Sequence, residues 1–431
     1  MENRDGIQKS IYFIEQNLKA EICAQELSQI AGFSLFHYYR LFQQTVGMPV
    51  MQYIVRRRLM NALYEIAQGG KMVEAALAYG FATYAGFYKA FRREYDCSPS
   101  AYLKTHRVQK PCPFNLEQEG RRMITHKKAA DILRYWGLEK EKISNIYYED
   151  TGNKNENAFY VGERYVLKSS AGLASLKNHI EIARALEKEG MLAATPVLTR
   201  DGGEYINDSG LYFILTNRIR GRQLMCEELY PADHEMAQKL GQMLGRLHKA
   251  LKNNGTAICN ETNLLENVRE WALPKTLEVM ELPDGFADSY LTVFSELYPQ
   301  LPRQIIHRDP NPGNIILSGN GVGFIDFDLS EINVRIFDPC YASTAVLCDI
   351  FANNTVGPEE WLAVYQTIIA GYDRVARLSK FEKQAVPYVV FSIQMICVAY
   401  FSGLDKFQKL AQTNENMLKW LVQNQKKLTI N

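Results

Sequence analysis

Paired cysteines are absent. The eight present, Cys23, Cys97, Cys112, Cys226, Cys259, Cys340, Cys348 and Cys397, include no C-x-x-C spacing. A zinc ribbon or disulfide framework would need paired spacings, so free thiols in a reducing, cytoplasmic compartment are expected. The opening MENRDGIQKS has no apolar run and does not read as a secretory signal. Only one long apolar stretch occurs, Ala385 to Phe401, and it carries Pro387, Ser392 and Gln394. That is short for a membrane span, so a buried helix is expected and no membrane partner. Net charge is also lacking, at +1, yet the sum hides an asymmetry. Residues 1–107 hold 13 Lys+Arg against 9 Asp+Glu, and the rest hold 36 against 39. A basic front on a mildly acidic body suits a small polyanion-binding module attached to something larger. With 431 residues, 47% of them hydrophobic, two or three folded domains are expected and wholesale disorder is excluded.

Residues 5–105 read as short helices. Ile7, Ile11, Ile14 and Leu18 recur at helical spacing, as do Tyr39, Phe42 and Val46. The turn Ala31-Gly32-Phe33 precedes an N-capping Ser34 and a helix from Leu35 to Thr45. The same grammar returns at Tyr79-Gly80-Phe81-Ala82-Thr83, followed by a helix through Tyr95, and a helix from Val50 to Ala67 would join the copies. Two such repeats can lay two helices into successive major-groove segments of double-stranded DNA. Tyr39, Phe42, Phe87 and Phe91 are expected to dock the second helix of each repeat.

The stretches LSQIAGFSLFHYYRLFQQTVGMPVMQYIVRRRLMNAL and AALAYGFATYAGFYKAFRREYDCSPSAYL resemble the AraC/XylS-type DNA-binding domain. The resemblance implies transcription regulation, with bases read by Phe36, His37 and Arg40 in the first repeat and by Thr83, Tyr84, Tyr88 and Lys89 in the second. Arg57, Arg58, Arg92 and Arg93 would hold phosphates. Asp96 departs from the pattern, standing where the family usually has glycine; Asp tolerates a left-handed backbone, so the turn is expected to survive.

The helical period fades over 108–120, which Pro111 and Pro113 punctuate, and this is the expected linker. From 121 a helix with Ala129, Ile132, Leu133 and Trp136 on one face leads into strands. The runs around Gly162-Glu163 read as a hairpin, and the Gly319-Asn320-Gly321 turn as another, since no helix and no phosphate-loop lysine follow it. The sharpest chemistry is His307-Arg308-Asp309 with Asn314 five residues after the Asp and Asp326 seventeen after it. An H-R-D-x-x-x-x-N loop followed by an Asp on a strand is what phosphoryl transfer needs. Asp309 would take or orient the proton of an attacking hydroxyl; Asn314 and Asp326 would offer oxygen ligands to Mg²⁺. Lys168, near the end of a strand, could hold phosphate oxygens, and Glu181 on the next helix could pair with it. The 151–157 segment stands where a phosphate-covering turn should be, with one glycine only.

RYVLK, LGQMLGRLHKAL, HRDPNPGNIIL, GFIDFDLS and Phe337-Asp338-Pro339 resemble the aminoglycoside phosphotransferase and choline kinase superfamily, a protein-kinase-like fold. The resemblance implies a cleft for ATP or GTP between a small lobe (about 121–217) and a large lobe (about 218–431), with Thr216, Asn217 and Arg218 as the base-contacting hinge. Asp338 would brace the catalytic loop, and Arg308 stands where many members have glycine. The expected architecture is therefore multidomain: an all-α double helix-turn-helix domain over 1–107, then an α+β two-lobed kinase-like domain. Three functions fit. The chain is a DNA-binding regulator whose kinase-like domain phosphorylates or senses a small metabolite or antibiotic, a small-molecule phosphotransferase with an autoregulatory DNA module, or a catalytically silent kinase fold used as a ligand sensor. The acceptor, the choice of nucleotide and the oligomeric state stay open.

Overall fold

The computed structural model describes all residues except Met1, Arg107, 117–122, 148–153, 253–259, Asn320, Thr355, 405–406 and Asn431. Cys259, Asn320 and the first part of the expected phosphate-covering turn thus lie outside the described residues. The chain divides into two compact units, Met1–Leu173 with Pro196–Arg218, and Ala174–Thr195 with Ile219–Asn431.

The first unit opens with seven helices: α1 (Glu2–Gln16), α2 (Ala24–Ile30), α3 (Leu35–Val46), α4 (Val50–Ala67), α5 (Met72–Ala78), α6 (Tyr84–Tyr95) and α7 (Pro99–Thr105). The caps explain the boundaries. Ser34 accepts from the His37 amide and Thr83 from the Gly86 amide, so both second helices start on a side-chain oxygen. Gly47 (φ 95°) and Asp96 (φ 59°) end them in the left-handed region, where Asp is one of the few side chains tolerated. Buried Tyr38, Phe42 and Val46 dock α3, and Phe87, Phe91 and Tyr95 dock α6. Tyr38 therefore takes the place expected of Tyr39, which is exposed; the i, i+4 spacing 38–42–46 is the truer stripe.

The expected linker is in its described part a strap. Phe114, Leu116 and Met123 enter the helical core. Arg4 donates to the Leu116 carbonyl, Gln8 donates to the Phe114 carbonyl at 3.1 Å, and the Met123 amide donates to the Val46 carbonyl at 2.8 Å. Helix α8 (His126–Leu133) then leads into a five-stranded antiparallel sheet of order β1-β2-β3-β5-β4. Its strands are β1 (Ile143–Tyr147), β2 (Lys154–Val161), β3 (Tyr165–Ser170), β4 (Ile206–Asp208) and β5 (Leu211–Asn217). Phe159, Val161, Leu167, Phe213 and Leu215 pack under α8 with Ile132, Leu133 and Trp136. Residues 154–157, expected in a turn, are strand: Lys154 pairs across with Tyr147.

The second unit is mainly helical. Helix α9 (Leu173–Lys188) enters it, and β6 (Arg222–Gln223), α10 (Glu235–Lys252) and helical segments at 264–279 and 286–297 follow. Next come β7 (Arg303–Ile306), β8 (Ile315–Ser318), β9 (Gly321–Phe324) and β10 (Glu331–Val334), arranged as a β10–β7 pair and a β6-β8-β9 sheet. Helices 337–353, 360–375, 380–402 and 408–423 close the chain. Helix 380–402 is, among the described residues, the one long and apolar enough to cross a membrane. It is a core helix here, with Val386, Val389, Val390, Ile393 and Met395 buried in the second unit.

Candidate functional site

Two neighbourhoods hold the residues that the sequence singles out. In the second unit, β7 delivers His307, Arg308 and Asp309 to the loop before β8. Asp338 organises this loop. It is fully buried and accepts from the His307 amide at 2.8 Å, the Arg308 amide at 2.9 Å and His248 Nε2 at 2.8 Å. Burial opposes its charge, but these bonds and the nearby His248 and His307 outweigh it and hold the carboxyl below its ordinary range. His248, on α10, is fixed in turn by the Tyr372 hydroxyl at 2.7 Å. The sequence assigns His248 no role, and the signal available there is that it is the single histidine of α10.

Arg308 adopts φ 75°, a left-handed conformation that glycine takes most easily. Arginine is held in that conformation by Glu331, 2.8 Å from its Nε, and by the Phe337 ring, 4.2 Å from the guanidinium carbon. Asp309 is half-buried. Its two oxygens accept from Asn311 at 2.9 Å and Asn314 at 3.1 Å. The Tyr341 phenol, not foreseen from the sequence, is pushed far above its usual range by burial and then by the nearby Asp309 charge. Asn314 also donates to the Asp309 backbone carbonyl at 2.9 Å and receives the Ile325 amide at 3.0 Å. That second bond ties the loop to the backbone beside Asp326, itself left-handed at φ 67°. Asn314 and Asp326 are both half-buried. Glu181, also in the second unit, sits on α9 with Arg184 at 3.0 Å.

In the first unit, Lys168 lies on β3 opposite Ala158 on one side and Ile214 on the other. At the end of β5, the Thr216 hydroxyl donates to the Val166 carbonyl at 3.5 Å. The Arg218 amide donates to the Arg164 carbonyl at 2.8 Å and its guanidinium lies 3.7 Å from the centre of the Tyr160 ring. Those groups are engaged within the sheet, and Asn217, the last residue of β5, pairs with Tyr165 and is exposed.

The helix-turn-helix residues separate into two classes. Phe36 is 80% exposed, and Arg40, Thr83, Lys89, Arg92 and Arg93 are exposed with it; His37, Tyr84 and Tyr88 are half-buried. The Thr83 hydroxyl is occupied as the cap, and His37 stands edge-on to Phe33 at 5.2 Å. Arg57 is a correction. It is buried, its guanidinium clasped by Glu15 at 2.6 and 2.9 Å and by the Cys112 carbonyl at 2.5 Å, so it has nothing left for a phosphate. Arg58 is likewise committed, donating to the Leu18 carbonyl at 2.9 Å and the Ala20 carbonyl at 2.6 Å. Their neighbour Arg56 is buried against Glu94 and Glu156. Arg56 and Arg57 are internal scaffolding, and half-buried Arg58 is tied to backbone carbonyls beside them.

Comparison with known proteins agrees with this division. Residues 27–105 match the model of a helix-turn-helix domain, and residues 150–379 match that of the phosphotransferase enzyme family. The chain is 33% identical over 97 residues to the HTH-type transcriptional activator AarP of Providencia stuartii, covering 22% of this chain and 72% of that one. It is 36% identical over 98 residues to the uncharacterized HTH-type transcriptional regulator YbfP of Bacillus subtilis. That match spans 22% of this chain and about a third of the length of that relative, 33%. Among solved structures, a microcompartment-associated aminopropanol kinase superposes with a TM-score of 0.51 at 14% identity, over 71% of this chain and 99% of its own; at that identity the likeness is one of fold. With one family model spanning more than half of its length, the chain belongs to the phosphotransferase enzyme family and carries an AraC-type helix-turn-helix domain ahead of that fold.

Proposed function

We propose that this protein is a cytoplasmic, sequence-specific DNA-binding transcription regulator whose kinase-like domain transfers the γ-phosphate of ATP or GTP to a hydroxyl of a small metabolite or antibiotic. The observation that carries the enzymatic part is the loop at Asp309. An inert fold would not need a carboxylate whose two oxygens are aimed by Asn311 and Asn314 on a loop clamped by buried Asp338.

In this reading the acceptor hydroxyl gives its proton to Asp309 as its oxygen attacks the γ-phosphorus. The bond from that phosphorus to the β–γ bridging oxygen breaks, and the nucleoside diphosphate leaves. Lys168 would bind phosphate oxygens, Glu181 would help to position it, and the base would lie against the end of β5 at Thr216, Asn217 and Arg218. Asn314 has its side-chain nitrogen committed to Asp309, so it offers the site an oxygen, as does the Asp326 carboxylate. Among the described residues no three His, Cys, Asp or Glu side chains gather as a metal cage. Two oxygen donors completed by phosphates and water fit Mg²⁺, which is bound through few protein ligands. Such a cation would neutralise charge on the phosphates. On DNA, Phe36, His37, Arg40, Tyr84, Tyr88 and Lys89 would face bases, and Arg92 and Arg93 phosphates.

The test is transfer of label from γ-labelled ATP or GTP into a fractionated pool of metabolites and aminoglycosides. Wild type should yield a labelled product, and Asp309→Ala should slow its formation by about 10²- to 10⁴-fold. Equal rates would remove Asp309 from the chemistry; nucleotide binding without any product would favour the silent sensor.

A further inference from the structure

The β1–β2 hairpin belongs to the kinase-like fold, yet the ends of its strands are bonded to the second DNA-reading helix. Tyr147 and Lys154 face each other across the hairpin. Lys154 Nζ lies 2.9 Å from the Glu94 carboxylate on α6. Arg56 of α4 joins the same carboxylate at 2.9 Å and reaches Glu156 on β2 at 2.6 Å. The Tyr147 hydroxyl donates to the Tyr95 carbonyl at 3.1 Å. Asn145 donates to the Glu94 carbonyl at 2.9 Å and to the Asp96 carboxylate at 3.2 Å. The last residues of α6 and its left-handed cap are thus each held by the hairpin.

This attachment resists slipping. The side chains of Arg56 and Lys154 are 4% and 8% exposed, and pulling the hairpin away would strand buried charges without partners, a strongly unfavourable change. Burial works against the Glu94 charge, but Arg56 and Lys154 outweigh it and keep the carboxyl ionised below its usual range. The hairpin and α6 are therefore joined so that a shift of one is passed to the other, the contiguous contact through which coupling between sites can travel. On the other side, β2 is laddered to β3 from Ala158↔Lys168 to Val161↔Tyr165. A phosphate held by Lys168 bears on the strand pair that grips α6.

We propose that the Arg56–Glu94–Lys154–Glu156 cluster, with Tyr147, couples nucleotide binding in the kinase-like domain to DNA binding by the second helix-turn-helix repeat, so that each ligand alters affinity for the other. This rests on the function proposed above for both ligands. Linkage makes the effect reciprocal: the factor by which nucleotide changes DNA affinity equals the factor by which DNA changes nucleotide affinity.

The experiment uses the full chain, a duplex enriched by it from a randomised pool, and Mg²⁺ with the non-hydrolysable analogues of ATP and GTP. DNA affinity is measured with and without saturating analogue, and analogue affinity with and without saturating duplex. Wild type should show the same factor in both directions, about fivefold or more. In Glu156→Gln and in Tyr147→Phe that factor should fall towards one while each ligand still binds alone. Tyr147→Phe removes only a hydroxyl and keeps the ring contacts to Tyr102 and His106, so it tests the idea even where Glu156→Gln unfolds the domain. A merely structural cluster would weaken the ligands without changing the ratio. Wild type that binds both ligands independently, or variants that keep the full factor, would overturn the coupling and leave the proposed function standing. Failure of wild type to bind either ligand would remove the proposed function, and the coupling with it.

Discussion

The two helix-turn-helix repeats share one grammar and end on different neighbours. Each has a hydroxyl cap, a docking stripe and a left-handed stop, at Ser34, Tyr38–Phe42–Val46 and Gly47 in one and at Thr83, Phe87–Phe91–Tyr95 and Asp96 in the other. The first stop is sealed by the strap: a Cβ on Gly47 would lie 2.0 Å from the Met123 carbonyl oxygen. The second is bonded by Asn145 and stands beside Glu94, which meets Arg56 and Lys154. A duplicated motif has thus been fitted once to its own domain and once to the kinase-like sheet. Identical local structure carries different consequences for what a disturbance can reach.

That contrast can be broken at its stops first. Gly47→Ala should cost about 4 kcal/mol, adding left-handed strain to a backbone collision. Asp96→Gly should stay within about 1 kcal/mol, since losing one contact to Asn145 is offset by an easier backbone. Chemical denaturation followed by far-UV circular dichroism would measure both, and equal costs would contradict the asymmetry. Next, Glu94→Gln leaves Arg56 and Lys154 short of a buried counter-charge and should lower stability by about 3 kcal/mol. Thr45→Val, at the matching place in the first repeat, should cost less than about 1 kcal/mol.

The smallest stability effect sharpens the comparison on DNA. Arg92 and Arg93 are exposed in the last turn of α6, where the helix dipole welcomes cations. Changing both to Ala should barely move stability, weaken duplex binding and reduce the slope of log K against log salt by roughly two. The matching residues of the first repeat are Gln43 and Gln44, and changing those to Ala should leave the slope in place. A salt titration by fluorescence anisotropy would show the difference.

What the sequence made legible was what is local. The turn Ala31-Gly32-Phe33 with its Ser34 cap, the span of α4, the Asp309–Asn314 loop and the β8–β9 hairpin all declare themselves within a few residues. The Asp338 brace came from resemblance. What stayed hidden depends on partners far along the chain. Nothing beside Arg57 announces Glu15 or Cys112, and nothing beside Arg58 announces the Leu18 and Ala20 carbonyls, so Arg57 and Arg58 read as phosphate contacts. Pro111 and Pro113 end a helical period, but they cannot reveal that Phe114 is bound into a core begun at Ile7. Lys154 sits among polar residues that read as a turn, and only pairing with Tyr147 makes it strand.

The route of the chain through the sheet also sets an order of assembly. β3 is paired on one side by β2 and on the other by β5, yet the chain leaves the first unit after Leu173 and returns for Pro196–Arg218. During synthesis, which proceeds from the amino terminus, the DNA-reading helices emerge early while the sheet that grips α6 still lacks an inner strand. The support of the second reading helix is complete only once residue 218 has been made. A ribosome-bound fragment ending before β5 would present both reading helices to DNA without the finished sheet behind the second, and so without the proposed link to the nucleotide.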